Sequence, residues 1–145
     1  MQELPHYYTA TAQSTTSISH VAVSSVDVHD ITTDAPAEFG GPGDQWTPEA
    51  LLMAAVADCF VLTFRAIARG SRLEWQDINC VATGTLDRIE RVTRFTEVAL
   101  KVKLTLPSGS DHDKVGKLLH KAEENCMITN SMSSIITLSA DIQEG

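Results

Sequence analysis

The chain has 145 residues, of which 43% are hydrophobic, a size and composition typical of one globular domain. Its formal net charge of −8 argues against nucleic acid and membrane surfaces as partners, because both are bound through basic patches. Its three cysteines are odd in number and too sparse for a secreted disulfide scaffold, and the N-terminus lacks the basic and apolar regions of a signal peptide. We therefore expect a single domain over residues 1–145, located in the cytoplasm.

The first segment of the chain favours short strands. Residues 6–31 are rich in Thr, Ser and Val, and alternation such as that of Val21 and Val23 is typical of half-buried antiparallel strands. Residues 34–44 contain three glycines and two prolines, which prevent a regular element from persisting. The sequence therefore predicts a small β-region followed by a loop.

A long helix is predicted after this loop. Thr47 is a suitable N-cap, Pro48 suits the first helical position, and Glu49 places an acid in the first turn. The helix should end near Gly70. It is apolar nearly all round, so we expect it to be buried on most of its faces.

The most apolar part of this helix covers residues 51–64. That stretch contains Asp58 and is followed by Arg65, and it is shorter than the ~20 apolar residues that span a bilayer. We therefore expect no membrane partner.

The C-terminal half predicts further strands and one more helix. Residues 75–88 and 95–106 favour strands, the first with a bulge at Gly84 and the second with apolar residues at every other position. The next apolar stripe, which ends at Cys126, has helical spacing, and residues 133–142 favour a last strand. Strands grouped around two helices, without strict alternation, indicate an α+β fold.

The sequence patterns of common cofactor and metal sites are absent. The glycines at positions 40, 41 and 43 have neither the spacing nor the context of a phosphate-binding loop, and no Gly-x-Ser-x-Gly elbow occurs. The five histidines are scattered, without the paired spacing of zinc ligands. We therefore expect no cofactor and no metal.

The cysteines are the remaining candidates for chemistry. Cys80 alternates with apolar residues on one strand face and is interpreted as a packing residue. Cys59 lies within the apolar helix and Cys126 lies where a helix ends. Burial as small hydrophobic residues and function as a reactive thiol pair both remain open for these two.

Glu49 has two interpretations. As a structural residue it offsets the dipole of the helix that it begins. As a functional residue it would act at the thiol, but ten residues of helix separate it from Cys59, which is ~15 Å along the axis. Any role for Glu49 at a Cys59 thiol therefore requires a homodimer in which two such helices pack antiparallel.

Two segments and the strand pair between them together resemble the OsmC/Ohr family of osmotically induced and organic-hydroperoxide-resistance proteins. The segments are FGGPGDQWTPEALLMAAVADCF and KAEENCMITNS, and the resemblance extends in order over nearly the whole chain. It implies an intertwined homodimer in which long central helices are wrapped by antiparallel sheets. It also implies that Cys59 attacks a peroxide, that Cys126 resolves the product to a disulfide, that Glu49 is an interface carboxylate and that a dithiol is the reductant.

The chain departs from the family pattern at three points. Peroxidases of the family carry an N-terminal arginine that lowers the pKa of the thiol, whereas the first arginine here is Arg65. Asp58 precedes the nucleophile, and a nearby negative charge raises a thiol pKa. Met127 follows the second cysteine where many members have proline. We therefore expect a raised pKa for Cys59 unless a histidine of the N-terminal strands or an arginine after Cys59 (Arg65, Arg69 or Arg72) replaces the missing cation.

The resemblance leads to a thiol-dependent reductase for organic hydroperoxides, weakened by the missing arginine. Apolar residues of the central helix would line its pocket: Leu52, Met53, Phe60 and Phe64. The alternative is a family member without peroxidase activity. Such a protein would bind a small apolar or thiol-reactive ligand, or would use the two cysteines as a redox sensor.

Overall fold

The computed structural model describes residues 1–145, and the chain divides into two compact units, Met1–Leu51 and Leu52–Gly145. The boundary falls inside a helix, four residues from its start, rather than in a flexible linker. Each unit contains its own three-stranded sheet. The organisation of the whole chain as a single domain stays a prediction.

The N-terminal unit contains the short antiparallel strands that the Thr, Ser and Val pattern predicted. Strands β1 (Ala10–Gln13), β2 (Val21–Ser25) and β3 (Ile31–Thr33) pair in the order β1-β2-β3. Beyond β3 the chain is held by the Asp34 N–H, which donates to the Trp46 carbonyl at 2.9 Å. This contact closes the predicted loop back onto the sheet.

The loop is more ordered than its glycine content suggested. It contains one turn of 3₁₀-helix at Ala37–Phe39, which Gly40 ends with a φ of 85°. A Cβ at Gly41 would overlap the carbonyl of Ala35, so only glycine fits this close approach. The glycines therefore form a defined turn.

Helix α1 (Pro48–Gly70) begins and ends where the capping residues predicted. The Ala50 N–H donates to the Thr47 hydroxyl at 3.0 Å, which is the expected N-cap bond. Its fully buried residues recur at every fourth position and form one stripe: Val56, Phe60, Phe64 and Ala68. The prediction of burial on most faces is therefore wrong for the single chain, because its few other elements cover only one side of the helix.

The length argument against a membrane span is also wrong for the complete helix. Helix α1 has 23 residues, and by length and composition alone it qualifies as a span. The apolar run of residues 51–64 is shorter than the helix, because the helix continues for six residues past Phe64. The buried stripe of α1 is, however, what the core helix of a water-soluble protein also presents.

The second unit is built on a mixed sheet with strand order β4-β5-β6. Strands β4 (Asp77–Ile89) and β5 (Val92–Leu106) form a long antiparallel hairpin, and β6 (Ile135–Glu144) is parallel to β5. The expectation of antiparallel sheets is therefore wrong for the β5–β6 pair, because a helical crossover between these strands makes them parallel. The apolar face of β5 is buried as its alternation predicted, at Val98, Leu100, Val102, Leu104 and Leu106.

Gly84 allows close packing rather than forming the predicted bulge. The register of the hairpin shifts between Thr85 and Leu86, one residue later. A Cβ at Gly84 would lie 2.7 Å from the Phe95 ring and 2.8 Å from the Met53 sulfur. A larger residue here would push both side chains away.

Helix α2 (His112–Glu124) ends before Cys126, the second candidate cysteine. Its N-cap is Asp111, which accepts a bond from the Lys114 N–H at 3.0 Å. A short helix α3 (Met127–Asn130) then begins, with Cys126 as its extended N-cap residue at φ −71° and ψ 108°. The sequence predicted the helix end near Cys126 but missed this restart. The mixture of helices and sheets confirms the α+β class.

Candidate active site

The Cys59 thiol faces an open cavity of about 540 Å³ in the second unit. The cysteine lies in the middle of helix α1 and is half-buried. Mostly apolar residues of α1 and of the start of α3 line the cavity with it: Ala55, Asp58, Leu62, Thr63, Ala66, Asn125, Met127 and Ile128. The four pocket residues that the sequence suggested are not among them. Two of these, Phe60 and Phe64, point into the core instead.

The second candidate cysteine lies beside the first. Cys126 is fully buried, and its side chain is one of the groups that lower the pKa of Cys59. The extended conformation of Cys126 between α2 and α3 places it there. Both residues are free thiols in the structure. Their redox roles stay predictions.

The pKa of Cys59 is lowered, which is the opposite of the sequence-based expectation. Burial is the largest single effect and raises this pKa. It is outweighed by hydrogen bonds from the Ile128 backbone, the Cys126 and Thr63 side chains and the Met127 backbone, which favour the thiolate. The expectation was wrong because it counted charged groups and ignored neutral donors.

No cation near the thiol replaces the missing arginine within this unit. The cavity lining contains no Lys, Arg or His, and the exposed side chains of Arg65, Arg69 and Arg72 do not line it. Asp58 does line the cavity but is not among the groups that shift the pKa of Cys59. The thiolate is therefore stabilised by hydrogen-bond donors alone.

Cys80 is half-buried on strand β4, opposite Val102 of β5. Burial is the main reason why its pKa is raised to about 11, and negative charge at Cys126 adds to the effect. A thiol with this pKa is a poor nucleophile near neutrality. The structure thus agrees with its interpretation as a packing residue.

Glu49 lines a different cavity, of about 440 Å³, within the N-terminal unit. Its Oε2 atom is buried and has no hydrogen-bond partner. No Lys or Arg precedes position 65, so the N-terminal unit offers this carboxylate no such cation. An unpaired buried carboxyl oxygen is costly, so this position favours a hydrogen-bond donor.

The same cavity is lined by Asp34, whose ion pair the sequence analysis missed. His20 Nδ1 lies 3.0 Å from Asp34 Oδ2. The pKa of Asp34 is lowered mainly by the hydrogen bond that its carboxylate accepts from the Ala35 N–H. The hydrogen bond with His20 is the next largest cause. His20 lies directly before β2, and Asp34 lies directly after β3, 14 positions later. No sequence signal links the two residues.

Thr63 is the other functional candidate that sequence reasoning missed, and here a signal existed. It follows Cys59 by four residues on a helix, the spacing at which side chains are neighbours on one face. The Met127 and Ile128 N–H groups gave no comparable signal, because their positions depend on the break between α2 and α3.

Comparisons with known proteins identify the family of the chain. The model of the family described as OsmC-like protein matches residues 41–141. The uncharacterized protein YmaD of Bacillus subtilis is 28% identical over 106 residues, 71% of each chain. The organic hydroperoxide resistance protein of Xanthomonas axonopodis pv. citri is 29% identical over 125 residues, 86% of each chain.

A solved structure supports the fold independently. The OsmC-like protein of unknown function from Vibrio cholerae superposes with a TM-score of 0.86 at 20% identity, covering 94% of this chain and 100% of the other. This likeness shows the OsmC-like fold. Together with the family match over most of the chain, it establishes that the protein belongs to the OsmC-like family.

Proposed function

We propose that the protein is a thiol-dependent peroxidase that reduces organic hydroperoxides, with Cys59 as the nucleophile and Cys126 as the resolving thiol. One observation carries the proposal: Cys59 has a lowered pKa, faces an open cavity and lies beside a second free thiol. A low thiol pKa and access to solvent are the properties of reactive cysteines. The names of the hydroperoxide-resistance relatives support the same chemistry.

The reaction proceeds in three balanced steps. The Cys59 thiolate attacks the terminal hydroxyl oxygen of a hydroperoxide, and the O–O bond breaks. The alkoxide leaves, takes up a proton and becomes an alcohol. Cys59 is now a sulfenic acid. The Cys126 thiol attacks its sulfur, water leaves, and a Cys59–Cys126 disulfide forms. A dithiol reductant then supplies two electrons and two protons and restores both thiols.

The cavity composition favours an apolar substrate. Its volume of about 540 Å³ lies within the range of small-molecule sites, and Asp58 is the only charged residue of its lining. A hydroperoxide with an alkyl or aryl group would bury apolar surface against Leu62 and Met127 and leave its O–O group near Cys59. Hydrogen peroxide would gain little from this cavity.

The working form in this proposal is an intertwined homodimer. Leu62 is 52% exposed and Met127 is 72% exposed at the cavity, so large apolar side chains lie open in the single chain. A second copy that packs along helix α1 would cover them. In the same assembly, Glu49 would approach the Cys59 of the partner subunit, which the spacing within one helix prevents in its own chain. The proposed location is the cytoplasm, where a dithiol reductant is available.

Peroxide turnover with a dithiol reductant tests the proposal. Wild-type protein and the Cys59→Ser, Cys126→Ser and Cys80→Ser variants would be supplied with cumene hydroperoxide and either dithiothreitol or a lipoylated reductant. We expect turnover by the wild type and Cys80→Ser, and none by Cys59→Ser. A wild-type rate no higher than the rate of the reductant alone would contradict the proposal.

A second candidate function is a redox-sensing thiol pair or a site for a small thiol-reactive ligand. The absence of Lys, Arg and His from the cavity lining favours it, because no cation there stabilises the leaving alkoxide. In that case each protein molecule would be oxidised by peroxide once, with a stable product and no catalytic cycle. The turnover assay distinguishes the two functions.

A further inference from the structure

Thr63 is directed toward the reactive thiol by the geometry of helix α1. It lies four residues after Cys59, and Cα–Cβ bonds in a helix tilt toward its N-terminus. The side chain of Thr63 therefore leans back over the turn that carries Cys59. Both residues line the same cavity.

The hydroxyl of Thr63 is available to the sulfur. A threonine within a helix usually donates to the carbonyl four residues earlier, which here belongs to Cys59. In α1 the only side-chain bond to the helix backbone is the one at the Thr47 cap. The Thr63 hydroxyl is therefore free to donate to the Cys59 sulfur, and it is one of the groups that lower the pKa of that thiol.

Besides the Ile128 and Met127 N–H groups and the Cys126 thiol, the cavity lining offers the sulfur no other hydroxyl and no cation. Asp58 is the only charged residue of the lining, and an ionised carboxylate has no proton to donate. The remaining ionisable groups are thiols: Cys126 at the start of α3 touches Cys59, and Cys80 on β4 interacts with Cys126 rather than with Cys59. Thr63 is the only hydroxyl in the cavity lining.

We propose that Thr63 is a positioning residue that holds Cys59 as a thiolate through an O–H···S hydrogen bond, in a site where no cation does so. Its catalytic benefit rests on the proposed peroxidase function. The stabilisation of the thiolate does not rest on that function, because it is a property of the reduced protein without substrate. The two ideas can therefore fail separately.

The test is the pKa of Cys59, measured in the reduced protein without peroxide. The rate of alkylation by iodoacetamide would be followed against pH, and mass spectrometry of the Cys59 peptide would separate this thiol from Cys80 and Cys126. Thr63→Val removes the hydroxyl and keeps the shape. We expect the pKa to rise by about one unit, because the thiolate loses a charge-assisted hydrogen bond at a site that is partly exposed.

Rescue by Thr63→Ser distinguishes a hydrogen bond from packing. Serine restores the hydroxyl without the methyl group, so the pKa should return to within a few tenths of a unit of the wild-type value. Thr63→Ala provides a second deletion that a helix tolerates well, should valine disturb the fold. Thr137→Val, on the exposed face of β6, is the matched control and should leave the pKa unchanged.

Two results would overturn the proposal. One is an unchanged pKa in the folded Thr63→Val or Thr63→Ala variant. The other is a Thr63→Ser variant with the same raised pKa as Thr63→Val. If turnover is present, Thr63→Val should also lower kcat/KM at neutral pH and approach the wild type at high pH, where every Cys59 is ionised.

Discussion

The Met127 backbone lines the cavity beside Cys59, and its N–H is one of the groups that lower the pKa of that thiol. Met127 is the first residue of α3 and directly follows Cys126, so one short segment supplies both the neighbouring thiol and part of the stabilisation of the thiolate. Residues distant in sequence thereby form one site.

Met127→Pro is predicted to raise the pKa of Cys59 without unfolding α3. Proline is favoured at the first position of a helix, and the extended conformation of Cys126 is the one required before proline. The substitution therefore removes little besides the N–H donor. We expect a rise of about half to one unit, measured by alkylation of Cys59 against pH. Met127→Ala keeps the N–H and should match the wild type, and equal pKa values in both variants would contradict the donor role.

Peroxide reduction is predicted to reach its maximal rate at a lower pH than an unperturbed thiol would allow. The pKa of Cys59 lies below its ordinary value, so the thiolate fraction grows as pH rises through that lowered pKa and then saturates. The rate should therefore level off at a lower pH than the rate of a free thiol would. A stopped-flow measurement of Cys59 oxidation against pH in the Cys80→Ser variant checks this. A rate that increases steadily beyond about pH 9 would show an unperturbed or raised pKa.

Cys80 is predicted to make a contribution to the free energy of unfolding that decreases as pH rises. Its pKa is raised to about 11, so the folded protein holds this proton more tightly than the unfolded chain does. The contribution is complete below the usual thiol pKa and is lost as pH rises toward 11. Urea unfolding of the wild type and Cys80→Ala should therefore give a difference in the free energy of unfolding that shrinks over this range. A constant difference would contradict the raised pKa.

Leu62→Glu is predicted to produce a monomer. Leu62 is 52% exposed in the single chain, so a charge there leaves the fold of that chain undisturbed. In the proposed dimer the same charge would be buried against the partner at a high desolvation cost. Size-exclusion chromatography with light scattering measures the result. Lys117→Gln changes the net charge equally on exposed α2 and should remain dimeric, and a dimeric Leu62→Glu protein would exclude this face as the interface.

Local signals in the sequence predicted the scaffold of the site. The Thr47–Pro48 cap and Gly70 defined α1, because these preferences depend on neighbouring residues only. Alternation along β5 identified its buried face for the same reason. The position of Cys59 on α1 was therefore predictable.

The chemical environment of Cys59 was not predictable from those signals. Its lowered pKa depends on N–H groups whose positions follow from the break after Asn125 and the restart of the chain as α3. The pairing of His20 with Asp34 depends on strand packing across 14 residues. The buried Oε2 of Glu49 could not be foreseen either, because the sequence does not specify which oxygen loses contact with water.

The most direct test of the central claim is the fate of Cys59 after one molar equivalent of cumene hydroperoxide. Peptide mass spectrometry of the reduced protein before and after treatment would identify the oxidised residues. The proposal predicts a Cys59–Cys126 disulfide in the wild type, and a Cys59 sulfenic acid that proceeds to irreversible acids under excess oxidant in Cys126→Ser. A disulfide that contains Cys80, or a Cys59 that stays reduced, would contradict it.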